Sequence, residues 1–239
     1  MNKSIFPFVI LLLLTIGCQK TANTTNSRPQ LPEGRYNVAF LIMDGTFNTE
    51  LTAPFDIFQH TIFRENIKAM NVFTVAESLN PITTFEGVRI LPDFSYQDKY
   101  LPKIDILVVP SAEHSMDTDL ENIEMLDFVK RTAKDALWVT SHCDGAFVLA
   151  KTGILDGVES TTFPGDIDKY MATYPQLKVH KDVFFVHDGK YITSSGGAKS
   201  FEAALYLTEV LYGKEVARSI AGGLVIDWDV NNVPHIIVE

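Results

Sequence analysis

The chain has 239 residues, 46% of them hydrophobic, with 20 basic against 30 acidic side chains and a formal net charge of -10. That length suits one globular core and is short for two. The acidic balance and the lack of a Lys/Arg cluster exclude a phosphate-tracking stripe, so nucleic acid is not expected as a partner.

The chain opens on "MNKSIFPFVILLLLTIGCQK", with Lys3, an apolar run from Ile5 to Ile16, and Gly17 just before Cys18. The run is too short for a stable membrane span and reads as a secretory signal. Leu14, Thr15, Ile16, Gly17 and Cys18 resemble a bacterial lipoprotein signal, in which cleavage after residue 17 leaves Cys18 as the lipidated first residue. An ordinary signal peptide with an incidental cysteine is the alternative. The resemblance implies a lipid anchor in a bacterial cell envelope. Gln19 in place of an acidic residue points to the periplasmic face of the outer membrane. Residues 18–35 are polar and rich in Asn, Thr and Pro, the composition of a flexible tether. A single domain is expected over residues 36–239. Two cysteines in an exported chain ordinarily suggest a disulfide, but an acylated Cys18 would leave Cys143 without a partner.

From Tyr36, short apolar strands alternate with helical stretches. "YNVAFLIM" is a strand-length apolar run, and "ELTAPFDIFQHTIFREN" carries Leu51, Phe55, Phe58, Ile62 and Phe63 at helical spacing. "MNVFTVAE", an irregular "GVRILPDFS" interrupted at Pro92, and "KIDILVVP" are further strands. "LENIEMLDFVKRTAKD" is an amphipathic helix with Ile123, Leu126, Phe128 and Val129 on its apolar side. "ALWVTSH" is another buried strand, followed at once by the helix "GAFVLAKTG". After "ESTTF" and a helix around "DIDKYMATY", the runs "KVHKDVFFVH" and "KYITSS" flank Asp188 and Gly189, a strong hairpin signal. "KSFEAALYLTEVLYG" and "KEVARSIAGGLVI" complete the helices. Strands buried on both faces and alternating with helices imply an α/β sandwich with a mostly parallel sheet covered on both sides. Ligands bind such sheets outside the carboxyl ends of the strands. That places Asp44 to Glu50, Ser111 to His114, His142 to Asp144 and Ser194 to Gly197 on the active edge.

Cys143 falls in an almost loop-free strand-to-helix turn, with Ser141 and Gly145 two residues away on either side. Small flanks let the backbones pass closely there, the geometry of a nucleophile elbow with cysteine in place of serine. Exposed N–H groups at the helix start are expected to lower the thiol pKa. A small buried hydrophobe is the competing reading.

"SHCDGAFVLAKTGILDG", "MDGTFNTELTAPFDIF" and "ITSSGGAKSFEAALYLTEVLYGKEVARSIAGGLVID" resemble, in that order, segments of the ThiJ/PfpI family of the class I glutamine amidotransferase-like superfamily. The likeness spans about residues 38–227 and implies a flavodoxin-like three-layer fold. It makes Cys143 the reactive cysteine and Glu50 the acid that approaches it, sharing a proton with the sulfur or acting as general acid/base. Without the resemblance, Glu50 reads as a solvated acid in a first helical turn. The sequence departs from the resembled family in three places, one of them "PSAEH" after the fourth strand in place of Pro-Gly-Gly. Thr161, Thr162 and Phe163 stand where several have Thr-Thr-His, and Asp144 stands where others have histidine. Asp144 is expected to cap the helix through its side chain. Its amide, with a backbone donor near Ser111 or Ala112, is the candidate oxyanion site. His114 is the best available imidazole on the active edge, or a solvent-exposed loop histidine. No metal is expected, since His180 and His187 lack clustered partners. No cofactor is expected either, because water can finish hydration or hydrolysis of a small carbonyl-like or isocyanide-like electrophile. The alternative function is a non-enzymatic redox-sensing or small-molecule-binding lipoprotein. Homodimerisation is common in the resembled family.

Overall fold

The computed structural model describes residues 28–238. The proposed signal over residues 1–17, Cys18 and the first part of the tether lie outside the described residues. In chain order the elements are β1 (Tyr36–Leu41), α1 (Asn48–Gln59), β2 (Met70–Ala76), β3 (Ile82–Thr83), β4 (Arg89–Ile90), β5 (Phe94–Ser95), β6 (Ile106–Val109), α2 (Ile123–Asp135), β7 (Trp138–His142), α3 (Gly145–Lys151), β8 (Glu159–Ser160), α4 (Ile167–Thr173), β9 (Lys178–Val179), β10 (Phe185–Asp188), β11 (Tyr191–Ser194), α5 (Ser200–Tyr212), α6 (Lys214–Gly223) and β12 (His235–Ile237).

Eight strands form one sheet in the order β12-β10-β11-β7-β6-β1-β2-β5. All neighbours are parallel except β10 and β11, the hairpin turned by Asp188 and Gly189. Period-two alternation sends successive side chains to opposite faces. Val38, Phe40, Ile106 and Val108 pack with Phe58 of α1, Leu205 of α5 and Ile220 of α6. Ala39, Leu41, Leu107 and Val109 pack with Phe128 of α2, Phe147 of α3 and Tyr170 of α4. The expected three-layer α/β sandwich with a mostly parallel, doubly covered sheet is present.

Several boundaries differ from the sequence reading. "GVRILPDFS" is two strands: β4 pairs with β3 in a separate hairpin, and β5 joins β2 at the sheet edge. Pro92 between them has no N–H to donate to a ladder. "KVHKDVFFVH" also divides. Lys178–Val179 pairs with β8 in a small sheet of its own, and Asp182 takes a left-handed turn (φ +59°) before β10 begins. The last helix stops at Gly223, earlier than its apolar run suggested, and β12 returns to the sheet beside β10. Phe63 and Ile123, placed by periodicity on buried faces, are exposed because each lies at the end of its helical stretch. Residues 28–35, read as tether, lie against the domain: Leu31 packs on the core, and Asn71 Nδ2 donates to the Pro32 carbonyl at 2.9 Å.

Candidate functional site

Buried β7 delivers Cys143 directly to the start of α3. Its φ of +53° lies in the left-handed region, which costs about 1–2 kcal/mol for a residue with a Cβ. Three close approaches hold it there. The Cys143 N–H donates to the Ser194 carbonyl at 3.0 Å, tying the elbow to the end of β11. A Cβ on Gly145 would sit 2.1 Å from the Val109 carbonyl oxygen, so only glycine lets α3 start this close to β6. A Cβ on Gly196 would meet Cys143 Cβ at 2.3 Å, so the loop after β11 is pressed against the cysteine itself. An over-determined strained residue at a sheet edge is what a positioned nucleophile requires.

Glu50, in the first turn of α1, reaches the same point and is only 6% exposed. Its Oε1 accepts the Gly197 N–H at 3.0 Å. Its Oε2 has no hydrogen-bond partner, and the carboxyl lies beside the Cys143 thiol. Burial pushes Glu50 up to about 7, a tendency that the Gly197 and Cys143 contacts oppose and the nearby charges of Asp144 and Glu86 reinforce. The structure therefore brings together the two residues singled out from the sequence and gives the carboxyl a pKa suited to proton transfer near neutrality.

The thiol behaves otherwise than its helix-terminal position suggested. The Asp144 N–H and Ser111 Oγ lie near enough to the sulfur to favour the thiolate, though neither makes a hydrogen bond of ordinary geometry. Burial, followed by the charges of Glu50 and Asp144, outweighs both and pushes the thiol pKa up. A seven-residue helix supplies a modest field, whereas removing a thiolate from water beside two carboxylates is costly.

Asp144 occupies the N-cap position of α3, but its side chain makes no capping bond. Oδ1 instead accepts from Thr162 Oγ1 at 3.1 Å, and that hydroxyl also lies 3.0 Å from the Cys143 carbonyl oxygen. The carboxyl also lies near the Cys143 thiol and the Asp166 carboxyl. It is pushed up to about 6, first by burial and then by the Asp166 charge.

One of the candidate oxyanion donors is engaged elsewhere. The Ala112 N–H donates to Ser115 Oγ at 2.8 Å, and the Asp144 N–H lies near the sulfur. Ser111 contributes its side chain, which is buried beside the thiol. His114 is the exposed loop histidine of the two readings, its ring 3.2 Å from Asp117 Oδ1. His142 is buried, with Nδ1 2.9 Å from Ser194 Oγ, and burial pushes it down to about 3, so it is neutral. His180 pairs with Glu159 and His187 with Tyr206, and among the described residues no group of three or more His, Cys, Asp or Glu is placed to hold a metal ion. Thr162 and Asp166 were not identified as site residues from sequence, whereas Gly197 falls in the stretch from Ser194 to Gly197 that the sequence places on the active edge. Thr162 drew notice only as part of a missing histidine motif.

A cavity of about 240 Å³ opens on the same sheet edge, over the ends of β1 and β2, with Met43, Asp44, Glu77, Tyr96 and Asn122 in its wall. Cys143 does not line it, and at 7% exposure the thiol presents little surface. The strained elbow and its carboxyls mark the chemistry more firmly than this cavity does.

The chain is 28% identical over 183 residues to isonitrile hydratase from Pseudomonas putida, covering 77% of this chain and 75% of that protein. It is 32% identical over 155 residues to the Parkinson disease protein 7 homolog of Danio rerio, covering 61% and 77%. A ThiJ/PfpI family protein from Pseudomonas syringae has the same fold, with a TM-score of 0.71 at 20% identity over 86% of this chain and 84% of that one. Drosophila melanogaster DJ-1beta also gives 0.71, at 22% identity over 81% and 100%. The family model for DJ-1/PfpI matches residues 36–210, a span that contains the elbow, Glu50 and the loop after β11, and the chain belongs to the DJ-1/PfpI family.

Proposed function

We propose that the protein hydrates or hydrolyses a small electrophile through Cys143, with Glu50 as its proton-handling partner and no cofactor. The observation that carries this reading is the buried Glu50 carboxyl, fixed by the Gly197 amide and set against the thiol of a positive-φ elbow. A raised thiol pKa requires a base in place at the moment of attack, and Glu50 is that base. The likeness to an isonitrile hydratase supports an isonitrile carbon as the electrophile. In that reaction the sulfur bonds to the terminal carbon of R–N≡C, the thiol proton passes to Glu50, and Glu50 returns it to the same carbon. The product of this half-reaction is a thioimidate, R–N=CH–S, on Cys143. Water then releases R–NH–CHO and restores the thiol.

The leader over residues 1–17 and Cys18 support a lipid-anchored address on the periplasmic face of the outer membrane, with the domain acting on a small molecule and pairing as a homodimer. Fatty-acid labelling of the expressed protein, lost in Cys18→Ser, tests the anchor. The enzymatic reading is tested by following formamide production from alkyl isonitriles. Turnover is expected in the wild type, none in Cys143→Ser, and a loss of roughly 10²–10⁴-fold in Glu50→Gln. Turnover surviving in Cys143→Ser would refute it. Selective peroxide modification of Cys143 without turnover of any isonitrile or small carbonyl compound would favour a redox sensor.

A further inference from the structure

Asp144 and Asp166 stand at the N-cap positions of α3 and α4, yet neither side chain caps its own helix. Their carboxyls are near enough that the Asp166 charge opposes ionisation of Asp144. Thr162 Oγ1 fixes Asp144 by bridging its Oδ1 and the Cys143 carbonyl oxygen, at 3.1 and 3.0 Å. Asp144 is buried, and its carboxyl lies beside the Cys143 thiol. Asp166 is half-buried, at the outer end of the pair. A cleft of about 60 Å³ lined by Thr161, Thr162, Pro164 and Lys181 reaches this cluster at Thr162, with room for water. The sulfur thus has one carboxyl on the α1 side, Glu50, and a second on the α4 side. The charged or titratable groups facing Asp144 are Cys143, Glu50 and Asp166.

We infer that the Asp144 side chain is a second catalytic acid/base at Cys143, serving the water half of the reaction, and that Asp166 is its positioning residue. This rests on the reading of Cys143 as the nucleophile. Attack on the electrophile uses Glu50, as above. In the second half, the Asp144 carboxylate takes a proton from water as the oxygen bonds to the thioimidate carbon. It passes that proton to the nitrogen, giving R–NH–CH(OH)–S. It then takes the hydroxyl proton as the carbon–sulfur bond breaks and delivers it to the departing sulfur. Formamide and thiol are formed, and Asp144 ends as it began.

The test is the pH profile of Cys143 alkylation by iodoacetamide in the intact protein, for wild type, Glu50→Gln, Asp144→Asn and Asp166→Asn. An inflection near the Asp144 value of about 6 is expected in the wild type. It should be lost in Asp144→Asn and move to lower pH in Asp166→Asn, while the Glu50-dependent inflection remains in both. Mass spectrometry after mixing with an alkyl isonitrile gives the second readout: Asp144→Asn should accumulate the thioimidate on Cys143 while turnover falls roughly 10²–10⁴-fold. Asp144→Asn and Asp166→Asn profiles that superimpose on the wild type would overturn this inference alone. A Glu50→Gln profile that superimposes would overturn the Glu50 reading and leave Asp144 standing. A thiol inert at every pH would overturn both.

Discussion

Replacing Glu50 by glutamine should change how stability depends on pH. Glutamine keeps the shape of the side chain and an oxygen for the Gly197 N–H, so what it removes is the ionisation. Raising the carboxyl from its ordinary 4.5 to about 7 corresponds to about 3 kcal/mol of preference for the protonated form in the folded protein. Well below pH 4.5 both folded and unfolded chains hold the proton, and the group has no effect. As pH rises past 4.5 the unfolded chain ionises freely while the folded one resists, so the wild type loses stability until the folded carboxyl also ionises above about 7. The penalty is about 1 kcal/mol at pH 5 and about 3 kcal/mol at pH 8. The stability of Glu50→Gln relative to wild type should therefore improve by about 2 kcal/mol between those pH values, read from urea unfolding of the two proteins side by side. His142 and Asp144 also titrate, but they are present in both chains and largely cancel in the difference. Parallel curves for the two proteins would refute the buried, proton-holding Glu50 on which the candidate site depends.

Cys143→Gly should be more stable than Cys143→Ala by about 1 kcal/mol in thermal melts, because only the alanine retains a Cβ at φ +53°. Equal melting points would mean that the elbow is unstrained. Gly196→Ala should cost at least about 2 kcal/mol and speed alkylation of Cys143, since the new Cβ would fall 2.3 Å from the cysteine Cβ and force the loop away. An unaltered alkylation rate would show that the loop does not shield the thiol. Thr162→Val should cost about 1–3 kcal/mol in chemical denaturation at pH 8, by removing the hydroxyl that satisfies Asp144 Oδ1. Stability indistinguishable from wild type would place Asp144 in contact with water instead.

The apolar runs and the Asp188–Gly189 turn were sufficient to determine the layered α/β architecture, because strand and helix periods are local properties of the chain. The small residues flanking Cys143 likewise announced a tight turn, and Gly145 indeed packs where a Cβ would strike Val109. Glu50 was legible only through the family likeness, since an acid in a first helical turn has an ordinary reading of its own. The sign of the thiol shift was not legible at all. It is decided by burial and by carboxylates arriving from α1 and from the residue beside the cysteine. The Gly197 amide that holds Glu50 is 147 residues away in sequence, and the Asp166 and Thr162 contacts likewise join elements that no short motif connects. Local pattern thus determined which residues sit on the active edge. Only the tertiary packing decided their protonation, because desolvation and charge proximity are properties of the assembled neighbourhood and not of a residue's place in the chain.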